Sequence, residues 1–501
     1  MTSPLASAIM ALIRAEGGVP KRVCADSRKI QPGDVFLAYP GHACDGRSYI
    51  RDAVSRGASA VLWEREGFTW EANLMLPNLP VDGLRWMVSD IADEVCGCPS
   101  RRLWMVGVTG TNGKTSVSQW VARAFNQLGR RCAVVGTMGS GFPGHLSDAV
   151  NTTPDAIVLQ QDLASFLEEG AEAVAMEVSS IGLDQGRVSG VSMDVAVFTN
   201  LTRDHLDYHH TMEAYAAAKA KLFDLPGLMS VILNFDDLMG VVQARRLAGR
   251  RLNVIGYTLV PDNATAAPAQ RVLVADQLRT TPSGMRFTVR CDGQHAEMSV
   301  GLVGQFNVSN LLAVIAVLME SDFSFAQAVE TAAELTPPEG RMQTLGGIGE
   351  PLVVVDYAHT PDALEQALKA SQSTVSSRQG HLVCVFGCGG DRDVGKRPLM
   401  GEVASRLAQR VLITSDNPRG EDPELIIRQV REGASVGECI ADRRQAIRTA
   451  VLEADANDVI LIAGKGHETY QEVRGERHHF SDAEEAAEAL DAWRKKQGAG
   501  R

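Results

Sequence analysis

Apolar and polar positions along this chain follow two rhythms. Short, nearly unbroken apolar runs stand at DVFLAYPG (34–41), SAVLWE (59–64), Leu103–Val108, CAVVG (132–136), AVAMEV (173–178) and VAVFTN (195–200). The last third repeats the theme with LVVVD (352–356), HLVCVFG (381–387), RVLITSD (410–416) and DVILIAG (458–464). Helix-like stretches separate them, among them Lys114–Leu128 and 155–169. Strands alternating with helices predict parallel, doubly wound sheets, that is, an α/β fold. The stretch 271–303 alternates residue by residue and predicts antiparallel hairpins, followed by helices at 306–320 and 324–335. The opening MTSPLASAIMALIRAEGG lacks a basic leader and is interrupted by Arg14 and Glu16, so it reads as a short amphipathic helix. The closing KKQGAGR is expected to fray.

Two proline-rich breaks, Pro99-Ser100-Arg101-Arg102 and Pro337-Pro338-Glu339-Gly340, divide the pattern into domains at 1–100, 101–338 and 339–501. A length of 501 residues agrees, at about 150 residues per domain. Composition then narrows the class. A hydrophobic share of 45% with 22% charged residues excludes disorder as the dominant state. The balance of 49 Lys+Arg against 61 Asp+Glu, net −12, argues against a nucleic-acid coat or an anionic-membrane binder. No run of about eighteen apolar residues occurs, so no membrane insertion is expected. Nine cysteines, an odd number, fit reduced thiols in a cytoplasmic protein. The close pair Cys96-Gly-Cys98 has no second pair or histidine at zinc-site spacing, and Cys384 and Cys388 read as small buried residues.

The candidate chemistry begins with Gly107-Val-Thr-Gly-Thr-Asn-Gly-Lys-Thr-Ser116, which joins a strand to a helix. Gly110 and Gly113 let backbone N–H groups close around phosphate oxygens. Lys114 reaches the terminal phosphates, and Thr115 or Ser116 offers a hydroxyl to Mg²⁺. Val108 stands where a strict phosphate-loop pattern has glycine. Glu177 follows a strand and is placed to hold Mg²⁺. Asp204, His205, Asp207, His209 and His210 form the densest His/Asp cluster, open to reading as a metal site, a substrate-orienting loop or a solvated turn. Lys219 and Lys221, in AYAAAKAKLF, read as lysines on the solvent face of a helix.

Four loops follow the four strands of the last domain: Asp356–Asp362, Gly387–Asp393, Ser415–Gly420 and Gly464-Lys-Gly-His-Glu468. Arg392 and Arg419 suit a ligand with carboxylates, because a guanidinium fork matches a carboxylate bidentately. Asp416, Asn417 and Glu468 suit ammonium groups. A zwitterionic amino acid satisfies both sets. A nucleotide site on one domain facing an amino-acid site on the next favours ATP-driven carboxylate activation followed by amine attack.

The ordered motifs resemble those of the Mur ligases of bacterial cell-wall synthesis. The resemblance spans all three domains through Ala25-Asp26-Ser27-Arg28, Thr109–Ser116, Asn151-Thr152-Thr153, Met176–Ser180, Thr199–His209, Asp356–Pro361, Gly387–Pro398, Asp416–Arg419 and Gly464–Glu468. It implies a small N-terminal UDP-sugar-binding α/β domain, a central parallel-sheet domain like a P-loop ATPase, and a C-terminal Rossmann-like domain; a cytoplasmic monomer is expected. It further implies that Gly110, Thr111, Asn112, Gly113, Lys114, Thr115 and Ser116 cradle ATP, with Asn307 on the adenine side. Lys114, Glu177, His205 and Lys219 would be catalytic, and Thr115, Glu177, His205 and Lys219 would surround Mg²⁺. Lys219 would be carbamylated, because an ammonium repels the metal whereas a carbamate binds it. That overrides the solvent-face reading.

Ser27, His42, Ala43 and Cys44 would hold the uridine end of UDP-N-acetylmuramoyl-L-Ala-D-Glu. Asn151, Thr152, Thr153, Ser179, Gln185 and Arg187 would hold its diphosphate, sugar and peptide. Arg392, Asp416, Asn417, Pro418, Arg419, Gly464 and Glu468 would form the pocket for meso-2,6-diaminopimelate. Asp-Asn-Pro-Arg resembles the diaminopimelate version of the family, and lysine-adding relatives lack that arginine. With lysine bound, Arg419 would lose its carboxylate partner, at about 3–5 kcal/mol. Ile181 stands where many relatives carry His, and Pro154-Asp155 where others carry Gly or small residues.

Four rival readings remain: a lysine-adding ligase, a folylpolyglutamate-synthetase-like ligase, a P-loop kinase, and a non-enzymatic sensor of UDP-muropeptides. The Asp-Ser-Arg and His-Ala-Cys-Asp-Gly-Arg motifs of the first domain argue against the folate type. The four C-terminal loops argue against the kinase, and intact Lys114, Glu177, His205 and Lys219 argue against the sensor.

Overall fold

A computed structural model describes residues 4–18, 20–41 and 44–499. Contacts divide the chain into two compact units. The first takes Met1–Thr258, Asp262–Leu273 and Ala313–Ala328; the second takes Leu259–Pro261, Val274–Leu312 and Val329–Arg501.

The first unit holds two sheets. The smaller runs β1 (Val23–Cys24), β2 (Val35–Ala38), β3 (Ala60–Glu64) and β4 (Asn78–Val81) in that spatial order, all parallel. The amphipathic helix expected at the start is present as Pro4–Ala15, with Ala6, Ile9, Met10 and Ile13 buried in the core of this sheet. Two short Asp-x-Arg turns leave the sheet. Asp26 caps the turn Ser27–Lys29 and pairs with Arg28, and Asp45 caps Gly46–Tyr49 and pairs with Arg47.

The larger sheet is built from β5 (Trp104–Thr109), β6 (Cys132–Gly136), β7 (Gly139–Phe142), β8 (His145–Ser147), β9 (Ala173–Glu177), β10 (Val195–Phe198), β11 (Ser230–Asn234) and β12 (Asn253–Thr258). Their spatial order is β12-β11-β10-β5-β9-β6-β7-β8. Strands β12 through β6 pair in parallel, and β6, β7 and β8 turn back antiparallel. The parallel strands are apolar without alternation because both faces are covered. The helix Lys114–Gln127 buries Val117, Trp120, Val121 and Phe125, and each such side chain stabilises by about 1.5–3 kcal/mol. From β5 the chain first builds the β9/β6 side and then crosses to β10. The carboxyl end of β5 is therefore the point where strand order reverses, the usual place for a ligand crevice.

The second unit carries an antiparallel meander from β13 (Arg271–Thr281, from Val274 on) through β14 (Gly284–Cys291) to β15 (Gln294–Val300), as the alternation at 271–303 predicts. Its main sheet has β16 (Gln343–Gly346), β17 (Leu352–Asp356), β18 (Leu382–Phe386), β19 (Arg410–Ile413), β20 (Glu438–Cys439) and β21 (Val459–Ala463), in the order β16-β17-β21-β18-β19-β20. All neighbours from β17 to β20 are parallel. The four loops after β17, β18, β19 and β21 therefore leave one edge of the sheet. A hairpin, β22 (Tyr470–Val473) with β23 (Glu476–His479), follows.

Several details differ from the sequence expectations. Strands β11, β12 and the hairpins β7/β8 and β22/β23 were not foreseen. The turn Pro99–Arg101 is packed, with Ser100 buried and accepting from the Ser192 N–H at 3.0 Å. The closing segment does not fray before Ala499; it continues the helix Asp482–Ala499. Among the described residues no helix is long and apolar enough to cross a membrane. None of the nine cysteines is in a disulfide. Burial pushes Cys96 and Cys98 up to about 11, so neither is a ready thiolate.

Candidate active site

In the first unit the loop after β5 is fixed by its neighbours. At Gly110 the backbone has φ +149°, and a Cβ there would lie 1.9 Å from Thr199 Oγ1, so only glycine fits. The Thr111 N–H donates to Asn200 O at 2.8 Å and the Asn112 N–H to Asn200 Oδ1 at 2.9 Å. Gly113, in the left-handed region, starts the helix Lys114–Gln127. The loop thus presents a helix N-terminus, a natural anion site.

Two lysines converge on it. Lys114 Nζ donates to Gly110 O at 3.0 Å and Thr111 O at 2.9 Å. Lys219 Nζ donates to the same Gly110 oxygen at 2.7 Å, lies 4.4 Å from the Tyr215 ring centre, and is only 1% exposed. The solvent-face reading of Lys219 is wrong: the side chain points into the unit. Lys221 is the surface lysine and pairs with Asp184 at 2.7 Å. Burial, and then the charge of Lys114, holds the Lys219 amine well below the ordinary lysine range.

Glu177 ends β9 and is buried. Its Oε2 accepts from Thr115 Oγ1 at 3.0 Å and Thr137 Oγ1 at 3.2 Å, and its Oε1 from the Thr137 N–H at 2.8 Å. A Cβ on Gly136 would come within 2.2 Å of that carboxylate, so Gly136 makes its room. A hydroxyl and a carboxylate side by side at a phosphate loop are the hard oxygen donors that Mg²⁺ takes. Among the described residues no group of three or more His, Cys, Asp and Glu is arranged to hold a metal. A metal here therefore fits Thr115 and Glu177 as they stand, and Lys219 only after its amine has been converted to an oxygen donor.

The His/Asp cluster separates. His205 is exposed, has φ +51°, and reaches its own neighbour Asp204. Its ring centre lies 6.1 Å from that of Tyr215. His209 is buried, its Nε2 2.9 Å from Ser180 Oγ, and packs on Tyr208 and Tyr215. His209 therefore braces the fold, and the five residues are not one ligand set.

The residues expected to hold the rest of a UDP-linked substrate are partly assembled. Arg187 donates to Thr153 O at 2.6 Å and to Gln185 Oε1 at 3.0 and 2.7 Å. Thr153 Oγ1 bonds Ser179 Oγ at 3.1 Å, and Thr152 Oγ1 lies 3.1 Å from Thr137 Oγ1. Asn151 is exposed. These residues therefore adjoin Glu177 through Thr137 and Thr153. In the smaller sheet Ser27 is buried and Cys44 exposed; His42 and Ala43 lie outside the described residues.

In the second unit the loop Asp416–Arg419 is stapled by the unforeseen hairpin. Gln471 Nε2 donates to Asp416 O at 2.6 Å, the Glu472 N–H to Asn417 Oδ1 at 2.9 Å, and the Arg419 N–H to Glu472 O at 3.0 Å. Asn417 Nδ2 donates to Glu468 Oε2 at 2.8 Å. Pro418 lies between them, and its O would meet a Cβ on Gly390 at 1.9 Å. Gly464, at φ +122°, faces Asp416 Oδ2. Arg419 has φ +51° and donates from Nη1 to Gly390 O at 2.8 Å. The space beside Gly389 is bounded by Arg419 Nη1 and Arg392 Cγ, so the two arginines stand together, with Arg392 exposed. Arg397, fully buried and paired with Glu421, accounts for the rest of that motif by shaping the loop. Asn307 is buried and donates to Val303 O at 2.9 Å, at the start of the helix Gln305–Met319.

A further cluster escaped the sequence reading. The Arg341 guanidinium lies 4.7 Å over the Tyr357 ring, which packs against His359 and His467 at 4.7 and 5.3 Å. Its members come from three separate loops, so no spacing announces it. Burial lowers His467 from the ordinary 6.5 to about 4. A base whose folded value is depressed contributes stability above its unfolded value, and that is lost as pH falls from about 6.5 through 4. Over these roughly 2.5 pH units, at about 1.4 kcal/mol each, His467 accounts for about 3–4 kcal/mol of acid lability. Denaturant titrations at neutral and mildly acidic pH check this: H467N should flatten the dependence, and an unchanged slope would refute the assignment.

The chain is similar to known proteins. The model of the Mur ligase middle domain matches residues 108–318, that of the Mur ligase glutamate ligase domain 340–466, and that of the Mur ligase family catalytic domain 21–95. A protein of Chromobacterium violaceum named UDP-N-acetylmuramoyl-L-alanyl-D-glutamate–2,6-diaminopimelate ligase is 49% identical over 489 residues, 97% of each chain. One of the same name from Ectopseudomonas mendocina is 51% identical over 483 residues, 96% of this chain and 97% of its own. A solved structure of a ligase with that name superposes with a TM-score of 0.71 at 36% identity, covering 95% of both chains. The MurF ligase of Thermotoga maritima, solved in complex with ADP, shares the fold at a TM-score of 0.61 and 16% identity, over 95% of this chain and 98% of its own. With the phosphate loop, the Thr115–Glu177 pair and the Asp416–Arg419 loop assembled in the same chain, the conclusion is direct: this protein belongs to the Mur ligase family.

Proposed function

We propose that the chain is an ATP-dependent ligase joining meso-2,6-diaminopimelate to the D-glutamyl γ-carboxylate of UDP-N-acetylmuramoyl-L-Ala-D-Glu, a step of peptidoglycan synthesis. The observation that carries this reading is the loop Asp416–Arg419. Within four residues it offers acceptors for an ammonium group and a guanidinium for a carboxylate, both held by β22. The named relatives at about half identity agree with it.

In the reaction, the γ-carboxylate oxygen takes the γ-phosphoryl group of ATP and ADP leaves. The amine of diaminopimelate then attacks the activated carbonyl carbon, the C–O bond to phosphate breaks, and an amide, phosphate and a proton result. Lys114 offsets charge on the transferring phosphoryl group, and backbone N–H groups of Gly110–Gly113 orient it. Mg²⁺, when bound, would add charge neutralisation, with Thr115, Glu177, carbamylated Lys219 and His205 as its holders. Thr152, Thr153, Ser179, Gln185 and Arg187 position the muramoyl peptide, Ser27 and the 42–44 loop position the uridine, and Asn307 positions the adenine. We assign these roles to three domains, 1–100, 101–338 and 339–501. Three separate sheets, each built around parallel strands, support that division. We place the enzyme in the cytoplasm as a monomer, a setting in keeping with its free thiols.

Phosphate release from ATP is the test, with the UDP-dipeptide and Mg²⁺ present and meso-diaminopimelate or L-lysine added in parallel. Release that depends on diaminopimelate is expected. Release with lysine alone would retain a ligase but remove the assigned substrate; release with neither would refute the reading.

A further inference from the structure

Lys465 lies in the loop after β21, between two residues of the proposed amino-acid pocket, and has no role so far. Its side chain is 0% exposed. The ammonium donates to Asn417 Oδ1 at 3.0 Å and to Glu468 Oε2 at 3.1 Å, and stands 3.6 Å from Asp416 Oδ1. Its three donors thus face three residues of the pocket. Asn417 Oδ1 also accepts the Glu472 N–H at 2.9 Å, and its Nδ2 bonds Glu468, so the amide can adopt only one orientation. Asp416 Oδ1 is buried and has no hydrogen-bond partner. Two carboxylates and one ammonium leave this cluster with one net negative charge.

We propose that Lys465 is a positioning residue that sets both the geometry and the charge of the amino-acid pocket. It draws Asp416, Asn417 and Glu468 into one clamp. It also cancels one of the two carboxylates, so that the clamp balances a single ammonium group. A ligand whose second carboxylate is met by an arginine then enters as a neutral zwitterion. Without Lys465 the clamp carries two uncancelled negative charges. It then favours an amino acid of net charge +1 over one of net charge zero, because unscreened charges in a buried site act over several ångströms. The inference rests on the ligase reading above, which assigns the pocket to diaminopimelate.

The test uses the full chain with ATP, Mg²⁺ and the UDP-dipeptide, comparing K465M, K465Q and K465R. In the two neutral variants the KM for diaminopimelate should rise about tenfold or more, with KM for ATP and the UDP-dipeptide within about twofold of the parent. The ratio of kcat/KM for L-lysine over diaminopimelate should shift about tenfold toward lysine, and K465R should recover most of both effects. A merely structural role would lower both amino acids alike and leave the ratio unmoved, and that result in either folded neutral variant overturns the proposal. So does a diaminopimelate KM that stays put. Should neither neutral variant fold, a K465R enzyme with parent-like KM and ratio supports the charge role, and one that loses diaminopimelate use overturns it. Failure of the parent enzyme to respond to any amino acid would instead strike the ligase reading itself.

Discussion

K219A is expected to lose about 10³-fold in diaminopimelate-dependent phosphate release and to regain part of it when a short carboxylic acid is added. Burial sets the chemistry of this lysine. Lys219 is 1% exposed, with Gly110 O as its acceptor and no carboxylate at ion-pair distance among the described residues. Burial and Lys114 together favour its neutral amine. A neutral amine adds carbon dioxide at the nitrogen, losing one proton and leaving a carbamate. Such a carbamate would offer oxygen donors to a cation, which the ammonium would only repel. A soluble carboxylate can fill the space left by alanine, which explains the partial rescue. Steady-state release with and without acetate checks the expectation, and a ¹³C signal from labelled bicarbonate in the parent enzyme checks the modification directly. Parent-like activity in K219A without any additive would rule the role out.

R419A should cost about 10²-fold in kcat/KM for diaminopimelate while leaving the KM for ATP near its parent value. The sequence alone puts the discrimination against lysine at about 3–5 kcal/mol, on the assumption that the guanidinium is left bare. The structure lowers that expectation. Glu472 stands 3.7 Å from Arg419 Nε, and the Arg419 side chain is 23% exposed. With lysine in the pocket the guanidinium therefore keeps a weak partner and some water, and the penalty falls to about 3 kcal/mol or less. Parallel kinetics with diaminopimelate and lysine measure it. Normal diaminopimelate kinetics in R419A would overturn the role of the arginine, whatever the reaction proves to be.

How much could be read from the sequence depended on whether neighbours in space are neighbours along the chain. The phosphate loop was legible because Gly110, Gly113, Lys114 and Thr115 act within one strand–turn–helix unit. The four C-terminal loops were legible because each follows an apolar run, and parallel strands send such loops to one edge. Strands β11 and β12 were passed over although both are nearly all buried and turn residues stand beside them, Pro226-Gly227 before β11 and Pro261-Asp262 after β12. The β22/β23 hairpin turns at Arg474-Gly475, a weaker signal than Asn-Gly, and its residues are polar enough to pass for loop. The solvent-face reading of Lys219, which the family resemblance already overrides, fails for a different reason. Helical spacing places it on a face but does not say which tertiary surface that face meets. The same gap hid Lys465, Thr137 and Gly136, whose importance lies entirely in what other strands bring beside them.

The carbonyl oxygen of Gly110, shared by Lys114 and Lys219, couples those two positions. Burial is the larger cause that favours the neutral Lys219 amine and the charge of Lys114 the second, so removing that charge raises the proton affinity of Lys219 in part. The two losses therefore overlap rather than add. A double substitution at the two positions should cost less than the sum of the two single ones.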